Sequence, residues 1–493
     1  MMAWLLLFAI QDALPEIPVE ELTLDNGMRV LIVQRKDTPR VYCALYWKVG
    51  SVNERPGITG LSHFFEHMMF KGTETIGTTD SRKDAEWNDK IEKTMGGVRE
   101  LQLKQRECER RGEKLSDFEE HRWKEYRKQY EDLVNEQKKI TVSEHLSKMF
   151  MANGGTGLNA STYYDWTRYF VELPANKVEL FFWLESDRFL RPVFREFYPE
   201  RDVVKEERRM RIESNPTGLI NEAFNAMFWQ SHPYGWPVIG WMSDIEMYTL
   251  ADALKYFDVH YSPHNCTAIF VGDLEPARVR DWARSYFGRI PRSKEDPPPI
   301  VTRESEQVGE RRMDAEADAQ PFVMIRWHAP GTVHADTAAL DLATMVLDGP
   351  SGRLHRALVE EKQLAIAADA SYWALKYAGM VMFTAKPKPG ISLEELEKAV
   401  MEVVERVREE GVSERELQKV KNQSIAIVVR QLQTNSGIGD ALGFAEISGE
   451  WKDVTGYLKK IQKVTTSQLQ EAASRYWTSQ GKNVLGVKRR EKK

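Results

Sequence analysis

The stretch LSHFFEHMMFKGT, residues 61–73, places two histidines four residues apart with a glutamate directly before the second. Positions i and i+4 of an α-helix lie on one face about one turn apart, so His63 and His67 can turn both imidazoles toward one ion. Glu66 follows His63 by three residues and faces nearly the same way. The pattern predicts two ligands of a zinc ion and a base that takes a proton from water.

The neighbours of this motif indicate that its helix is buried, because they are almost all large and apolar. Buried imidazole and carboxyl groups need partners, since desolvating them otherwise costs several kcal/mol. A metal would satisfy all three groups. The alternative is that two histidines share a helix by chance, and in a chain with 10 histidines the pattern alone does not exclude it. The apolar neighbours are Phe64, Phe65, Met68, Met69 and Phe70.

Length, charge and cysteine content narrow the class of protein. The 493 residues predict two or three domains of about 100–200 residues each. A net charge of -5 and a pI near 6.2 give no basic surface, so nucleic acid is not an expected partner. Cys43, Cys108 and Cys266 are far apart, which indicates neither a disulfide framework nor a thiolate zinc site. A metal would therefore be bound by histidines and carboxylates.

The N-terminal segment, residues 1–17, contains an apolar run at 3–10 that is too short to span a bilayer. No other apolar run approaches that length, so we expect no membrane span. The run resembles the core of a secretory signal peptide but lacks a preceding basic residue and a small-residue cleavage site. An incomplete signal peptide and a disordered or packed N-terminus both fit. The compartment stays open, with a periplasmic or secreted location slightly favoured over a cytoplasmic one.

Residues 80–148 differ in composition from the rest of the chain, because a narrow seam runs through mostly Lys, Arg, Glu and Gln. The seam residues alternate in steps of four and three from Trp87 to Cys108 and again from Tyr126 to Ile140. This spacing predicts a helical hairpin with a coiled-coil seam. Gly96 and Gly97 should weaken its first arm by about 1 kcal/mol each. Two interpretations stay open: a solvated pair packed on itself, or a protruding arm that contacts a partner.

The second half of the chain repeats the organisation of the first. A proline-rich, charged segment at 291–310 predicts a linker between a domain at 18–290 and another at 311–493. Residues 320–349 follow the same order of strand, glycine-containing loop, apolar helix and glycine as residues 40–72, which predicts two copies of one α+β domain. The helix of the second copy has Ala, Leu, Asp and Thr where the first has His and Glu, so only the first domain is expected to bind metal.

The motif at 63–73 resembles the inverted zinc motif of the pitrilysin family, which includes insulin-degrading enzyme and mitochondrial processing peptidase. LDNGMRVLIV at 24–33 resembles the opening hairpin of that family, and NASTYYDWTRYFVELP at 159–174 resembles its edge strand. The resemblance covers nearly the whole chain apart from the helical hairpin. It implies an α+β fold of two homologous sandwich domains, one zinc ion per chain, and a zinc-dependent endopeptidase that hydrolyses peptides or unfolded polypeptides.

The resemblance also implies a third ligand. In the family this is a glutamate on a downstream helix, with a second glutamate seven residues before it, and ERDVVKEERR at 200–209 matches that helix. Seven residues make about two helical turns, so Glu200 and Glu207 share a face. Glu207 is thereby the expected ligand, and Glu200 is expected to support the catalytic centre. Glu206 is the rival, although it would project about 100° away. The inserted hairpin accounts for the unusually long separation of Glu207 from His67.

The stretch GGTGLNAST at 154–162 is implied to form the edge strand beside the metal, where an extended substrate adds by backbone pairing. Asn159 and Ala160 would then lie nearest the scissile bond. The alternative is a glycine-rich loop that feeds an ordinary strand. The remaining histidines considered have no ligand spacing and are interpreted as structural or surface groups: His232, His260, His264, His328 and His355.

Family members that cleave peptides usually carry an arginine and a tyrosine in the second domain that hold the substrate backbone. In the matching stretch here, VEEKQLAIAAD at 359–369, Glu360 stands at the arginine position and Ile366 at the tyrosine position. The departure implies the zinc-bearing subunit of a heterodimer, whose sister subunit carries the Arg/Tyr clamp. A homodimer is the alternative assembly. A non-catalytic assembly subunit with the same fold is the alternative function, and the intact zinc motif disfavours it.

Overall fold

The computed structural model describes residues 17–491, apart from the side chain of Thr455. The predicted N-terminal segment at 1–17 therefore lies almost wholly outside the described residues. Within the described range, none of the helices combines the length and the apolar character needed to cross a bilayer.

Eleven strands form two sheets within the described range. Their bounds are β1 Val19–Thr23, β2 Arg29–Gln34, β3 Arg40–Trp47, β4 Thr156–Thr162, β5 Thr167–Pro174, β6 Cys266–Gly272, β7 Arg311–Ala317, β8 Phe322–Ala329, β9 Ala365–Ala374, β10 Gly379–Pro387 and β11 Asn483–Arg489.

The helices of the first half include the zinc motif, the predicted hairpin and the expected third ligand. They are α1 Leu61–Met68, α2 Ser81–Arg111, α3 Asp117–Lys138, α4 His145–Ala152, α5 Val178–Leu190, α6 Phe197–Arg208, α7 Gly218–Phe228, α8 Met242–Ile245, α9 Leu250–His260 and α10 Pro276–Tyr286. The second half contains α11 Thr337–Leu347, α12 Arg353–His355, α13 Leu393–Glu410, α14 Glu414–Gln431, α15 Asn435–Ser448, α16 Asp453–Lys463 and α17 Thr466–Tyr476.

The first sheet has the order β1-β2-β6-β3-β5-β4. Strand β6 pairs parallel with β2 and antiparallel with β3, so a late segment of the chain separates two early strands. All seven residues of β6 are buried, as expected for a central strand covered on both faces. Strand β4 lies at the edge, antiparallel to β5.

The second sheet has the order β7-β11-β8-β10-β9 and repeats the pairing of the first from β2 onward. Strands β7 and β11 are parallel, as β2 and β6 are. The pairs β6–β3, β3–β5 and β5–β4 are antiparallel, as are β11–β8, β8–β10 and β10–β9. The last strand of each half pairs antiparallel with an earlier one, β6 with β3 and β11 with β8. An apolar helix follows that earlier strand, α1 after β3 and α11 after β8. The predicted α+β fold with two similar domains is confirmed.

The compact units do not follow the predicted boundaries. One unit, here the N-terminal unit, comprises Glu20–Glu207 and Val238–Pro298, whereas the other, the C-terminal unit, comprises within the described range residues 17–19, Arg208–Pro237 and residues 299–491. The segment Arg208–Pro237 was expected in the first domain. It clusters with the second because Phe224 of α7 is buried in an apolar cluster with Ala317, Leu485 and Val487.

Helices α2 and α3 form an antiparallel pair at the predicted place, and this pair is called the hairpin below. Its first arm does not stand free, since Arg106 Nη2 donates to the Ser243 carbonyl of its own unit at 3.0 Å. Gly97 allows a close approach between the arms, because a Cβ there would collide with the Tyr126 ring. The two interpretations of this region, a solvated pair packed on itself and a protruding arm that contacts a partner, stay predictions. The coiled-coil seam stays a prediction.

Candidate metal centre

Helix α1 starts at a backbone turn that its sequence makes possible. Gly60 has φ +89°, and a Cβ on it would collide with the Ile239 carbonyl, so glycine is required here. The buried Glu54 carboxylate accepts hydrogen bonds from the N–H groups of Gly60 and Ser62, both at 2.7 Å. Burial raises the pKa of Glu54 to about 8, although these hydrogen bonds oppose the shift. Glu54 thus accepts hydrogen bonds from backbone N–H groups at the start of α1 that have no partner within the helix.

The two histidines of α1 converge on Glu207 of α6. His63 Nε2 lies 3.6 Å and His67 Nε2 lies 3.2 Å from the same oxygen, Glu207 Oε2. The imidazole centroids are 4.9 Å apart. One ligand atom from each residue lies within 4.8 Å of the others. His63 is buried and the other two are half-buried, so the three groups converge with little access for bulk water.

This donor set fits a zinc ion. Two imidazole nitrogens and one carboxylate oxygen are a common ligand set of catalytic zinc, which leaves a fourth position for water or substrate. Among residues 17–491, no other set of three His, Cys, Asp or Glu side chains converges in this way. Glu206, the rival ligand, is exposed, whereas Glu207 is the residue that approaches both histidines.

The Glu200 carboxylate contacts His67 on the side of its Nδ1 atom, and Lys71 in turn contacts Glu200. His67 Nδ1 lies 2.9 Å from Glu200 Oε1, and the other oxygen of Glu200 lies 2.6 Å from Lys71 Nζ. Burial would lower the pKa of His67, but its hydrogen bonds to Glu200 and Glu207 raise it to about 9. Burial raises the pKa of Glu200, and its contacts with His67 and Lys71 outweigh that effect and lower it. Glu200 is therefore ionised where it accepts from His67.

Glu66 lies half-buried beside the histidines and faces a cavity of about 410 Å³. His67, Phe70 and Lys71 line the cavity from the side of the motif, and residues 141–147, which follow the hairpin, line it from the other side. The cavity leaves room for water or a substrate group next to the Glu66 carboxylate.

The edge strand β4 is connected to the motif helix through β5. Ala160 pairs with Tyr169, whose hydroxyl donates to the Phe65 carbonyl in α1 at 3.3 Å. Asn159 is exposed, and its side-chain Oδ1 accepts the N–H of Ala160 at 2.9 Å. A substrate strand that used this N–H would have to replace the Asn159 side chain.

The positions matched to the substrate clamp lie in the C-terminal unit. Glu360 is exposed near the end of a π-helical turn, Arg356–Glu361, and Ile366 is 43% exposed on β9. Neither side chain can supply the guanidinium or the phenol of the family clamp.

The other histidines do not join the metal centre. Burial lowers the pKa values of His232, His260 and His328 to about 4, so all three are neutral near pH 7. His264 Nε2 lies 3.0 Å from Asp296, and His355 lies in the C-terminal unit. The structure gives these groups no ligand geometry among the described residues.

Sequence reasoning missed two residues of the site. Lys71 follows His67 by four residues, a helical spacing that could have indicated its approach to the same face. Glu54 lies in a loop, where no periodicity points to α1, so no sequence signal could have found it.

Comparisons with known proteins give the relatives of this chain. Residues 29–86 match the family described as Insulinase (Peptidase family M16), and residues 248–424 match the Peptidase M16 inactive domain. The chain is 28% identical to the zinc protease PqqE of Helicobacter pylori over 468 residues, which cover 93% of this chain and 90% of that protein. It is 23% identical to an uncharacterized zinc protease of Mycobacterium leprae over 471 residues, 94% of this chain and 91% of the relative.

The solved structure of a protease from Helicobacter pylori superposes with a TM-score of 0.78 at 25% identity, and the match covers 97% of this chain and all of that one. The inactive-domain match excludes the motif helix, which falls inside the Insulinase match. Sequence, fold and the converging ligand set therefore point the same way, and the comparisons support the M16, or pitrilysin-like, family of peptidases for this chain.

Proposed function

We propose that this protein is a zinc-dependent endopeptidase that hydrolyses peptides or unfolded polypeptides. The observation that carries the proposal is the convergence of His63, His67 and Glu207 beside Glu66. These three residues would bind one zinc ion, which when bound supplies Lewis-acid polarisation of the scissile carbonyl and a lowered pKa for water.

The protein's own groups have distinct roles in this proposal. Glu66 accepts a proton from the attacking water and later delivers it to the leaving amine, as a general base and then a general acid. Glu200 accepts from His67 Nδ1–H, which fixes the tautomer and leaves Nε2 free to bind metal. Glu200 is thus a positioning residue, and Lys71 keeps it ionised and in place.

The edge of the first sheet would bind the substrate backbone. An extended peptide would add to β4 next to Asn159 and Ala160, so that its carbonyl reaches the metal centre. The exposed Asn159 side chain, which accepts the Ala160 N–H when no substrate is bound, would be released as the peptide pairs. This role rests on the edge position of β4 and on its link through Tyr169 to α1.

We also propose a sister subunit that carries the Arg/Tyr clamp, with a homodimer as the alternative. The support is the replacement of both clamp residues by Glu360 and Ile366. Pull-down of the tagged chain from its native source, followed by mass spectrometry, tests this proposal. Full-rate peptide cleavage by the purified chain alone would contradict it.

The non-catalytic alternative makes a different prediction for zinc and turnover. Zinc content by atomic emission and hydrolysis of a quenched fluorogenic peptide are to be measured for wild type and Glu66→Gln, with the sister subunit added if one is found. We expect one zinc per chain in both proteins and a loss of turnover of about 10²–10⁴-fold in the variant. A wild-type chain without zinc would contradict the peptidase assignment. Equal turnover in both would remove Glu66 from the role of base.

A further inference from the structure

We infer that the hairpin positions the metal centre through two contacts: a buried ion pair between Asp84, at its start, and Arg195, just before α6, and the hydrogen bond between Glu92 and Tyr198 of α6. The inference rests on the proposed function for its catalytic consequence, whereas the contacts that support it do not depend on a bound metal. Asp84 and Arg195 are accordingly proposed as positioning residues.

Arg195 connects the hairpin to the segment that follows the zinc motif. Its side chain is fully buried, and its Nε and Nη2 lie 2.9 and 2.7 Å from Asp84 Oδ2. Its Nη1 donates to the carbonyls of Lys71 and Ile76 at 2.8 and 3.2 Å, and Nη2 donates to the carbonyl of Thr73 at 3.1 Å. One guanidinium therefore fixes both the first turn of α2 and the chain that leaves α1.

The second arm of the hairpin also contacts the Asp84 carboxylate on the first. Gln137, at the end of α3, donates from Nε2 to Asp84 Oδ1 at 3.0 Å and to Asn88 Oδ1 at 2.7 Å. Asp84 and Gln137 are both buried. A charge in this environment needs its partner, since removing one member of a buried pair leaves the other uncompensated. The ion pair thus fixes the geometry at the base of the hairpin.

A continuous path of contacts runs from Arg195 to the ligands. Glu196, the next residue, accepts from Lys71 Nζ at 3.4 Å, and its carbonyl accepts the N–H of Glu200 at 2.9 Å. Lys71 then contacts Glu200, which contacts His67, at 2.6 and 2.9 Å. A shift of Arg195 would move the lysine and the carboxylate that orient a metal-binding imidazole.

A second contact joins the hairpin directly to α6. The hydroxyl of Tyr198 donates to Glu92 Oε2 of α2 at 2.7 Å, and the ring of Tyr198 packs edge-on against Tyr130 of α3 at 6.3 Å between centroids. Tyr198 lies two residues before Glu200 on the helix that also carries Glu207. The hairpin therefore contacts the supports of both the histidine pair and the third ligand.

The test compares Asp84→Asn with Lys104→Gln, a matched control that removes an exposed ion pair with Glu119 within the same hairpin. Zinc affinity is measured by competition with a chromogenic chelator, and kcat and KM are measured on a fluorogenic peptide. Positioning partners of metal ligands typically contribute about 10–100-fold to metal affinity or activity. We expect Asp84→Asn to lose that much zinc affinity and kcat with KM nearly unchanged, and Lys104→Gln to match wild type.

A folded Asp84→Asn variant with wild-type zinc affinity and kcat would overturn the inference. If that variant does not fold, Tyr198→Phe, Glu92→Gln and their combination replace it. The two single changes should each weaken zinc binding, and the double change should add nothing further, whereas wild-type affinity in all three would overturn the inference.

A readout without metal separates this inference from the proposed function. In the metal-free chain, hydrogen–deuterium exchange of residues 61–71 should be faster in Asp84→Asn, or in Tyr198→Phe if that variant replaces it, than in Lys104→Gln. Equal exchange would overturn the inference. If the wild-type chain binds no zinc and the variant still shows the faster exchange, the peptidase proposal is contradicted and the structural coupling is supported.

Discussion

Helices α1 and α11 occupy the same place in two similar units but bury different chemistry. Nine of the eleven residues of α11 are buried, and all nine are Ala, Leu, Val or Thr. Gly72 and Gly349, which follow the two helices, both have positive φ. If these glycines are matched, Leu340, Ala343 and Thr344 stand where α1 has His63, Glu66 and His67.

Both units have a buried helix at this place, and the chemistry of each helix depends on the side chains that neighbouring elements bring to it. In the N-terminal unit, α6 brings Glu200 and Glu207 to the two histidines. In the C-terminal unit, the half-buried Asp341 on α11 receives a hydrogen bond from Tyr457, and burial raises its pKa. The one carboxyl group of α11 is thus satisfied by one neighbour, whereas the cluster on α1 needs a helix of carboxylates and fits a metal.

The largest difference in zinc binding is expected between His67→Ala on α1 and Thr344→Ala at the matched position of α11. His67→Ala should abolish zinc binding and reduce peptide hydrolysis by at least about a thousandfold, because one of three ligands is lost. Thr344→Ala removes a buried hydrogen bond to the Leu340 carbonyl and should cost about 1 kcal/mol of stability with zinc unaffected. Zinc content, activity and urea unfolding measure the effects. Zinc retained by His67→Ala would break the comparison.

The two adjacent glutamates of α6 allow a second matched test. Glu207→Gln should weaken zinc binding by about a hundredfold and reduce kcat/KM by at least as much, because an anionic ligand becomes neutral. Glu206→Gln, an exposed neighbour, should behave as wild type. Chelator competition measures the affinities. The opposite ranking of the two variants would assign the third ligand to Glu206.

Zinc affinity should depend on pH through His67. In the metal-free protein its pKa is raised to about 9, so a proton must leave before the imidazole binds metal. Affinity should therefore rise about tenfold per pH unit up to that value and then level off. For the metal-free chain the sign is opposite: stability from this proton is complete below the unfolded pKa and is lost as pH rises through about 9. Chelator competition across this range gives the slope, and a flat profile would contradict the protonated state.

The smallest effect is expected from weakening the Glu54 cap of α1, because the matching helix α11 begins without any side-chain hydrogen bond at its N-cap. Glu54→Gln retains one acceptor oxygen and should cost about 1–2 kcal/mol of unfolding free energy, with a decrease of kcat of about tenfold at most. Thr249→Ala, which removes the N-cap of α9, is the control. It should cost similar stability but leave kcat unchanged, as judged by urea unfolding and peptide kinetics. Equal kcat in both variants would remove any positioning role for Glu54.

The parts that sequence could predict are those that depend on local spacing. The helix of His63 and His67 follows from residues four apart, and the similarity of the two halves follows from repeated strand and helix patterns. The place of β6 between β2 and β3 could not be predicted, because the pairing joins segments more than two hundred residues apart in the printed sequence. The grouping of Arg208–Pro237 with the C-terminal unit depends on Phe224, whose burial partners lie far along the chain. The roles of Asn159 and Ala160 stay predictions.

The central position of β6 also bears on how the chain folds during synthesis. Helix α1, the hairpin and α6 are all synthesised before Cys266–Gly272, yet β2 and β3 have no shared neighbour until that strand exists. Chains grow at about 5–20 residues per second, so the candidate zinc ligands wait for several seconds on an incomplete sheet. A nascent chain that ends before residue 266 has every predicted zinc ligand but lacks the strand that holds the two halves of its sheet together.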